Sequence, residues 1–183
     1  MLDKIFFYKR IREVKLFDKL NQIQVDSIDA IINECDKQGL TLKQAAYCFA
    51  TAYHEAYNPR QPENRMTPIR EFGGEEYLKG KKYYPFVGMG FSQLTWRWNY
   101  EKEAKRLGMD LINHPKLILD ILTAANSHVF CMAHGTYTGK KLSDYINDKK
   151  TDYANARRIV NGVDKKDLIA GYAQKFESCL SNI

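Results

Sequence analysis

Two groups of carboxylates are set where they could do chemistry. Glu55 lies in Ala52-Tyr53-His54-Glu55-Ala56-Tyr57, at the end of a run with helical spacing of apolar residues. At about 100° per residue its side chain falls about 60° beyond the edge of the apolar stripe, so it borders the core without entering it. A carboxyl there, near the negative end of a helix dipole and among Tyr53 and Tyr57, is expected to hold its proton more firmly through partial desolvation, which suits a general acid. The second group sits in Met66-Thr67-Pro68-Ile69-Arg70-Glu71-Phe72-Gly73-Gly74-Glu75-Glu76. Hydrolysis of a glycosidic bond needs two carboxyls on opposite sides of it, one to protonate the leaving oxygen and one to stabilise the cation or activate water. Glu71, anchored between Pro68 and Gly73-Gly74 with Ile69 and Phe72 beside it, is the best placed partner. Glu75 and Glu76 are expected to cap or begin a short helix.

A third run, Tyr83-Tyr84-Pro85-Phe86-Val87-Gly88-Met89-Gly90-Phe91-Ser92-Gln93-Leu94-Thr95-Trp96-Arg97-Trp98-Asn99-Tyr100, combines two glycines with uncharged polar groups at Gln93, Thr95 and Asn99. Glycine lets backbone approach a ligand closely, and amides and hydroxyls meet sugar edges while aromatic rings meet sugar faces. Trp96, Trp98 and Tyr100 also suit core anchors, a role expected for at least one of the two tryptophans. His54 reads as a helix-end donor that orients a carboxylate or a backbone carbonyl. A metal-dependent alternative would recruit His54, Glu55, His128 and His134. The HExxH spacing is missing, however, and His128 and His134, six residues apart on one helix, point about 120° away from each other. Neither a metal nor a cofactor is expected.

Helices must position these groups. Apolar residues at Val25, Ile28, Ile31, Ile32 and Cys35 predict one helix, closed by Gly39. Thr41 is a plausible N-cap for a second, with Leu42, Ala45, Ala46, Phe49, Ala52, Tyr53 and Ala56 as its stripe and Asn58-Pro59 as its stop. Ile118, Leu122, Ala125, Val129, Met132 and Ala133 predict a third, and Leu168, Ile169, Tyr172, Phe176, Cys179 and Leu180 a fourth. Between Asn58 and Phe91, prolines and glycines punctuate a stretch without helical period, which is expected to build a site or carry a short hairpin or helix. No repeat or linker divides the chain, so one domain over 1–183 is expected.

Composition narrows the classes further. The chain has 183 residues, 44% apolar and 27% charged, enough for a core without staples and unlike disordered or collagen-like chains. Four cysteines without CxxC spacing predict four free thiols in a reducing compartment. Apolar runs are too short to span a bilayer, and the start of the chain lacks the apolar core of a signal peptide, so a cytosolic location without membrane insertion is expected. The net charge of +6 points to an anionic partner. The cluster of Lys4, Lys9, Arg10, Arg12 and Lys15 reads as a solvated helix face rather than a nucleic-acid site.

Taken together, His54-Glu55, the run from Tyr83 to Tyr100 and Ala156-Arg157-Arg158-Ile159-Val160-Asn161-Gly162 resemble glycoside hydrolase family 19, in its branch of bacteriophage endolysins and chitinase-like proteins. That family carries an H-E pair at a helix end, a Y-Y-G-R-G-x-x-Q-L-[ST]-x-x-x-N-Y run and a later I-[IV]-N-G. Leu20 to Asp26, Met66 to Gly73 and Asn161 to Phe176 extend the likeness over nearly the whole chain. The resemblance implies a mainly α, lysozyme-like fold with two lobes around a cleft, and an inverting mechanism. On matching positions Glu55 would be the acid and Glu71 the base. Thr95 would help hold the water, with His54, Tyr84, Gln93, Trp96, Asn99 and Asn161 binding substrate. The carboxyls of an inverting pair stand roughly 6.5–9.5 Å apart. The implied substrate is peptidoglycan, cut between N-acetylmuramic acid and N-acetylglucosamine. The enzyme would be a monomer held in a host cytoplasm until a separate holin opens the membrane. Chitin is the alternative substrate, and an inactive carbohydrate-binding protein the alternative class. Two departures stand out. Gly88-Met89-Gly90 replaces G-R-G, so a cation is expected to be missing from the cleft floor, and Pro85-Phe86-Val87 separates the tyrosines from those glycines. A short path from Glu55 leaves Glu75 and Glu76 open as the second carboxylate.

Overall fold

The computed structural model describes residues 3–181. Helix α1 (Lys4–Glu13) is capped by Asp3, whose carboxylate accepts from the Phe6 N–H, and buries Phe7 and Ile11 while Lys9 and Arg12 face solvent. Its basic cluster is therefore a helix face, as expected. Helix α2 (Gln22–Lys37) starts in a reciprocal capping box between Asn21 and Gln24, and its stripe of Ile28, Ile31, Ile32 and Cys35 is buried. Helix α3 (Leu42–Glu55) starts in a second such box, Thr41 with Gln44, and the residues from Ala45 to Tyr53 are all buried. This helix is the axis of the large lobe. Phe49 packs against Phe7 of α1 and Phe176 of the last helix, with ring centroids 5.4 and 5.3 Å apart. Each such phenyl contributes about 2–3 kcal/mol by leaving water.

The irregular stretch carries short elements, as its spacing predicts. Strand β1 (Ile69–Arg70), helix α4 (Glu75–Lys79) and strand β2 (Met89–Gly90) follow one another, and β1 pairs antiparallel with β2 in the register Ile69 to Gly90 and Arg70 to Met89. Helix α5 (Arg97–Leu107) begins within the aromatic run and ends at Gly108 in the left-handed region. Helix α6 (Ile121–His134) is capped by Asp120 and preceded by a 3-10 turn at Pro115–Leu119. Helix α7 (Leu142–Tyr145), a small hairpin of β3 (Ile146–Asn147) with β4 (Lys150–Thr151), and helix α8 (Tyr153–Ala156) lead to α9 (Lys166–Leu180).

Two apolar clusters result. The larger joins α1, α2, α3, α6 and α9, and the smaller holds Leu78, Phe86, Val87, Met89, Leu94, Tyr100, Leu111 and Ile118. Tyr137 packs against both. All four cysteines are free and buried. Several expectations need correction. The third helix is divided, because Asp120 caps a new start after Ile118, and helix α3 stops at Glu55 rather than at Asn58. Leu42, Leu122 and Leu168 were placed on core stripes by their spacing, yet they are 42%, 69% and 46% exposed. Each sits in the first turn of its helix with its side chain turned outward, while its neighbours Ile121 and Ile169 take the inward places beside Leu122 and Leu168. Both tryptophans are on the surface, Trp96 36% and Trp98 52% exposed, while Tyr100 is fully buried and donates from its hydroxyl to the Val87 carbonyl at 2.9 Å.

Candidate active site

Glu55 is the last residue of α3, and the core that surrounds the rest of that helix leaves its side chain 19% exposed. A guanidinium is set against it: Arg157, 4% exposed at its side chain, forms an ion pair from Nη1 to Glu55 Oε1. Arg157 Nε donates to the Asp164 carbonyl at 3.1 Å, so the cation is fixed from both ends. The sequence alone offers Glu55 burial and the helix dipole; Arg157 stands within the Ala156 to Gly162 motif, but only folding brings it across 102 residues to α3. His54 is half-buried and makes no hydrogen bond among the described residues, so the expected orienting role is not seen. Burial lowers its pKa, with Glu55 opposing and Arg157 and Arg65 adding to the fall.

Glu71 directly follows β1 and is held at both oxygens. Oε1 accepts from the Tyr83 hydroxyl at 2.7 Å and Oε2 from the Gly88 N–H at 3.0 Å, while the Glu71 N–H donates to the Gly88 carbonyl at 2.6 Å. The bond pushes the Tyr83 phenol up to about 12, because ionising it would place a second anion beside Glu71. Tyr83, for which the sequence indicates no role, is therefore the tyrosine that joins this carboxylate. The Tyr84 hydroxyl goes instead to Glu75 Oε1 at 2.7 Å. Glu75 also pairs with Arg70 at 3.0 Å, and these two donors hold its carboxyl below the usual range. Glu76 is solvated and paired with Lys79 one turn on. Both begin α4, as expected, and each is occupied by a local partner.

Glycine at position 88 brings the polar residues of the aromatic run against Glu71. A Cβ there would lie 2.7 Å from Gln93 Oε1 and 3.3 Å from Thr95 Oγ1. Gln93, at φ 55°, donates from Nε2 to the Ile69 carbonyl at 3.2 Å, and Thr95 donates to the Gln93 carbonyl at 2.8 Å. Asn99 donates from Nδ2 to the Thr95 carbonyl at 2.9 Å. Trp96 stacks on Trp98 with centroids 4.6 Å apart and meets Tyr83 edge-on at 5.2 Å, which makes an exposed aromatic shelf continuous with the Glu71 partner. Asn161 is exposed, its N–H donating to the carbonyl of Arg157 at 3.0 Å and its side-chain oxygen accepting from the Gly162 N–H at 2.8 Å.

A cleft of about 750 Å³ has Asn58 to Gln61, just past Glu55, on one wall and Ile69 to Gly74, around Glu71, on the other. The two walls are tied by the Met66 N–H donating to the Ala56 carbonyl at 2.7 Å. Met89 is buried in the small cluster, so no cation stands at that position; the side chain of its strand partner Arg70 lines the cleft and is 25% exposed. The cleft thus holds a guanidinium from the neighbouring strand, ion-paired with Glu75, and none at position 89. Phe86 and Val87, the residues that interrupt the tyrosine–glycine spacing, are absorbed as core of the small lobe. His128 is remote from this chemistry. It is buried, with Nδ1 on Ser92 Oγ and Nε2 on the Cys48 carbonyl at 2.9 Å, and His134 meets Gln38 at the surface. Among the described residues no three His, Cys, Asp or Glu side chains converge as metal ligands.

No protein-family model matches the chain. It is similar in structure to a bacterial family 19 chitinase, with a TM-score of 0.69 at 19% identity over 98% of this chain and 95% of that one. Chitinase C from Streptomyces griseus HUT6037 is similar with a TM-score of 0.64 at 16% identity, over 98% of this chain and 76% of that one. In sequence, 78 residues are 33% identical to inactive chitinase-like protein 1 from Hevea brasiliensis, a match that takes in 43% of this chain and 22% of that relative's length. The chain therefore has the mainly helical, lysozyme-like fold of the family 19 chitinases.

Proposed function

We propose that this chain is a glycoside hydrolase of the inverting type that cuts the β-1,4 bond between N-acetylmuramic acid and N-acetylglucosamine in peptidoglycan, as a bacteriophage endolysin. The observation that carries the glycosidase reading is the pair of differently held carboxylates, Glu55 on Arg157 at the end of α3 and Glu71 in the cleft wall on Tyr83 and Gly88, within a fold shared with family 19 chitinases. Glu55 presents one oxygen to Arg157 and keeps the other for the leaving oxygen, as acid. Glu71 is immobilised by Tyr83 and Gly88 and acts as base on a water that attacks C1 from the opposite face. Thr95 helps to hold that water, Gln93 and Asn99 meet sugar hydroxyls and N-acetyl groups, and the Tyr83–Trp96–Trp98 shelf receives an apolar sugar face. Tyr84, His54 and Asn161 belong to the outer contacts of the same strand.

The peptidoglycan substrate rests on the phage-like motifs at Leu20 to Asp26, Met66 to Gly73 and Asn161 to Phe176 and on the positive charge, which would attract an anionic cell wall. Storage in the host cytoplasm as a monomer, with release by a holin, belongs to the same reading. No helix among the described residues is long and apolar enough to cross a membrane. Chitin is the second reading, favoured by the chitinases that share the fold. An inactive binder is the third, favoured by the inactive chitinase-like relative. Mass spectrometry of peptidoglycan and chitin-oligomer digests, run with Glu55→Gln and Glu71→Gln, separates them. New reducing ends on N-acetylmuramic acid, abolished by either variant, are expected; cleavage of chitin alone, or of neither polymer, would overturn the reading.

A further inference from the structure

Next to the end of α3 lies a pocket of about 440 Å³ that the proposed hydrolysis does not use. Asp18, Lys19, Tyr53, Tyr57, Glu63 and Arg65 are among its walls. Its centre is Arg65, whose guanidinium carbon lies 4.3 Å from the Tyr53 ring centroid and 3.8 Å from that of Tyr57. The backbone of Arg65 is fixed as well, its carbonyl accepting from Gln24 Nε2 at 2.9 Å. Both rings lie within cation–π reach of the guanidinium, and the N–H donors in its plane are what a bound anion would meet. Among the described residues no carboxylate pairs with Arg65 or Lys19, and no cation pairs with Asp18 or Glu63.

A preoriented, unpaired guanidinium between aromatic walls is a receptor for a planar anion such as a carboxylate. The free acids at its rim would take an ammonium group, so the pocket fits a ligand that carries both. Uncharged chains of N-acetylated sugars carry neither, whereas the short peptide branches of peptidoglycan carry both. Tyr57 is two residues past Glu55, so their Cα atoms are within about 7 Å. Asn58 to Gln61 wall the cleft, and Pro62, Glu63 and Arg65 of the same loop wall the pocket. We propose that this pocket binds the peptide branch of the glycan strand in the cleft, its carboxylate on Arg65, and so selects peptide-bearing strands over bare ones. The proposal rests on the peptidoglycan reading of the cleft.

The probe is the free tripeptide L-alanyl-γ-D-glutamyl-meso-diaminopimelate, titrated calorimetrically onto the full chain, since it has no glycosidic bond to cut. Saturable binding is expected, weakened at least tenfold by Arg65→Gln and less by Arg65→Lys, which keeps the charge without the fork. No saturable binding to the unaltered chain, or equal binding by Arg65→Gln, overturns the proposal. In parallel, kcat/KM on peptide-bearing strands should exceed that on peptide-stripped strands about tenfold, and the ratio should fall toward one in Arg65→Gln. A loss shared equally by both strands assigns Arg65 to the sugar cleft or the fold and overturns it too. Cleavage of stripped strands without tripeptide binding removes the pocket alone. Arg65-dependent binding without cleavage of either strand removes the muramidase reading alone.

Discussion

Adding one methyl group at Gly88 tests whether the Glu71 cluster works as a unit. The backbone at Gly88 lies outside the left-handed region, so alanine is sterically permitted there by the main chain itself. Its Cβ would stand 2.7 Å from Gln93 Oε1, and ordinary contact at 3.4 Å requires that atom to withdraw by about 0.7 Å. The end of the Gln93 side chain can give, so the fold should lose its two long Nε2 bonds, to the Ile69 carbonyl at 3.2 Å and the Gly90 carbonyl at 3.5 Å, together about 1 kcal/mol. Activity should lose far more. Gly88 binds Glu71 through both its N–H and its carbonyl, and Thr95 Oγ1 stands 3.3 Å from the same Cβ. A displacement approaching 1 Å among such groups costs about 100-fold in rate. The assay is kcat on peptidoglycan beside the unfolding midpoint, with Gly171→Ala in α9 as control, because a Cβ at Gly171 meets nothing within 4 Å and lies outside the cleft. The expected outcome is a loss of 30-fold or more in kcat, an order-of-magnitude figure, with a midpoint lowered by only a few degrees. A Gly88→Ala enzyme that keeps its kcat within about twofold of the unaltered chain would refute the assignment of Glu71, Gln93 and Thr95 to one reacting centre.

Three further outcomes are expected. Tyr83→Phe removes one of the two donors to Glu71, a charge-assisted bond of about 2 kcal/mol, and should lower kcat about tenfold or more with KM little changed; an altered KM alone would assign Tyr83 to sugar binding. Arg157→Leu leaves the partly buried Glu55 without its ion-pair partner and should cost about 2–3 kcal/mol in urea unfolding, whereas no change in stability would show that water already screens the pair. Burial lowers the pKa of His128 to about 4, so the folded state resists protonation while the unfolded chain protonates below about 6.5; stability is full above pH 6.5 and declines by about 3 kcal/mol as pH falls toward 4. A His128→Gln variant with the same pH dependence of unfolding would contradict that account.

Some of this architecture is written in local patterns. Helices α2, α3 and α9 follow from the three-to-four spacing of their apolar residues, and the Asn21 and Thr41 caps follow from their own short-range chemistry. Helix α5 is hidden in the sequence because the run that opens it is rich in aromatic and polar groups, and because a carboxylate, Glu103, takes one place in its inward stripe of Tyr100, Glu103, Ala104 and Leu107. The expectation that at least one tryptophan fills the core fails for a related reason, since residue type alone does not distinguish a ring that fills a core from one that forms a shelf above it.

For the candidate site, the sequence by itself determined which carboxylates to consider, because a glutamate on the margin of a buried helix and another between proline and paired glycines are local facts. Tertiary structure alone decided their company. Arg157 reaches Glu55 across 102 residues, Tyr83 rather than Tyr84 closes on Glu71, and Arg70 lines the cleft beside a buried Met89. Adjacent tyrosines, like adjacent strand residues, differ in direction rather than in kind, and direction depends on which neighbour each backbone segment packs against. Periodicity carries the path of a helix; ion pairs and hydrogen bonds between distant segments exist only once each segment has packed against its neighbours.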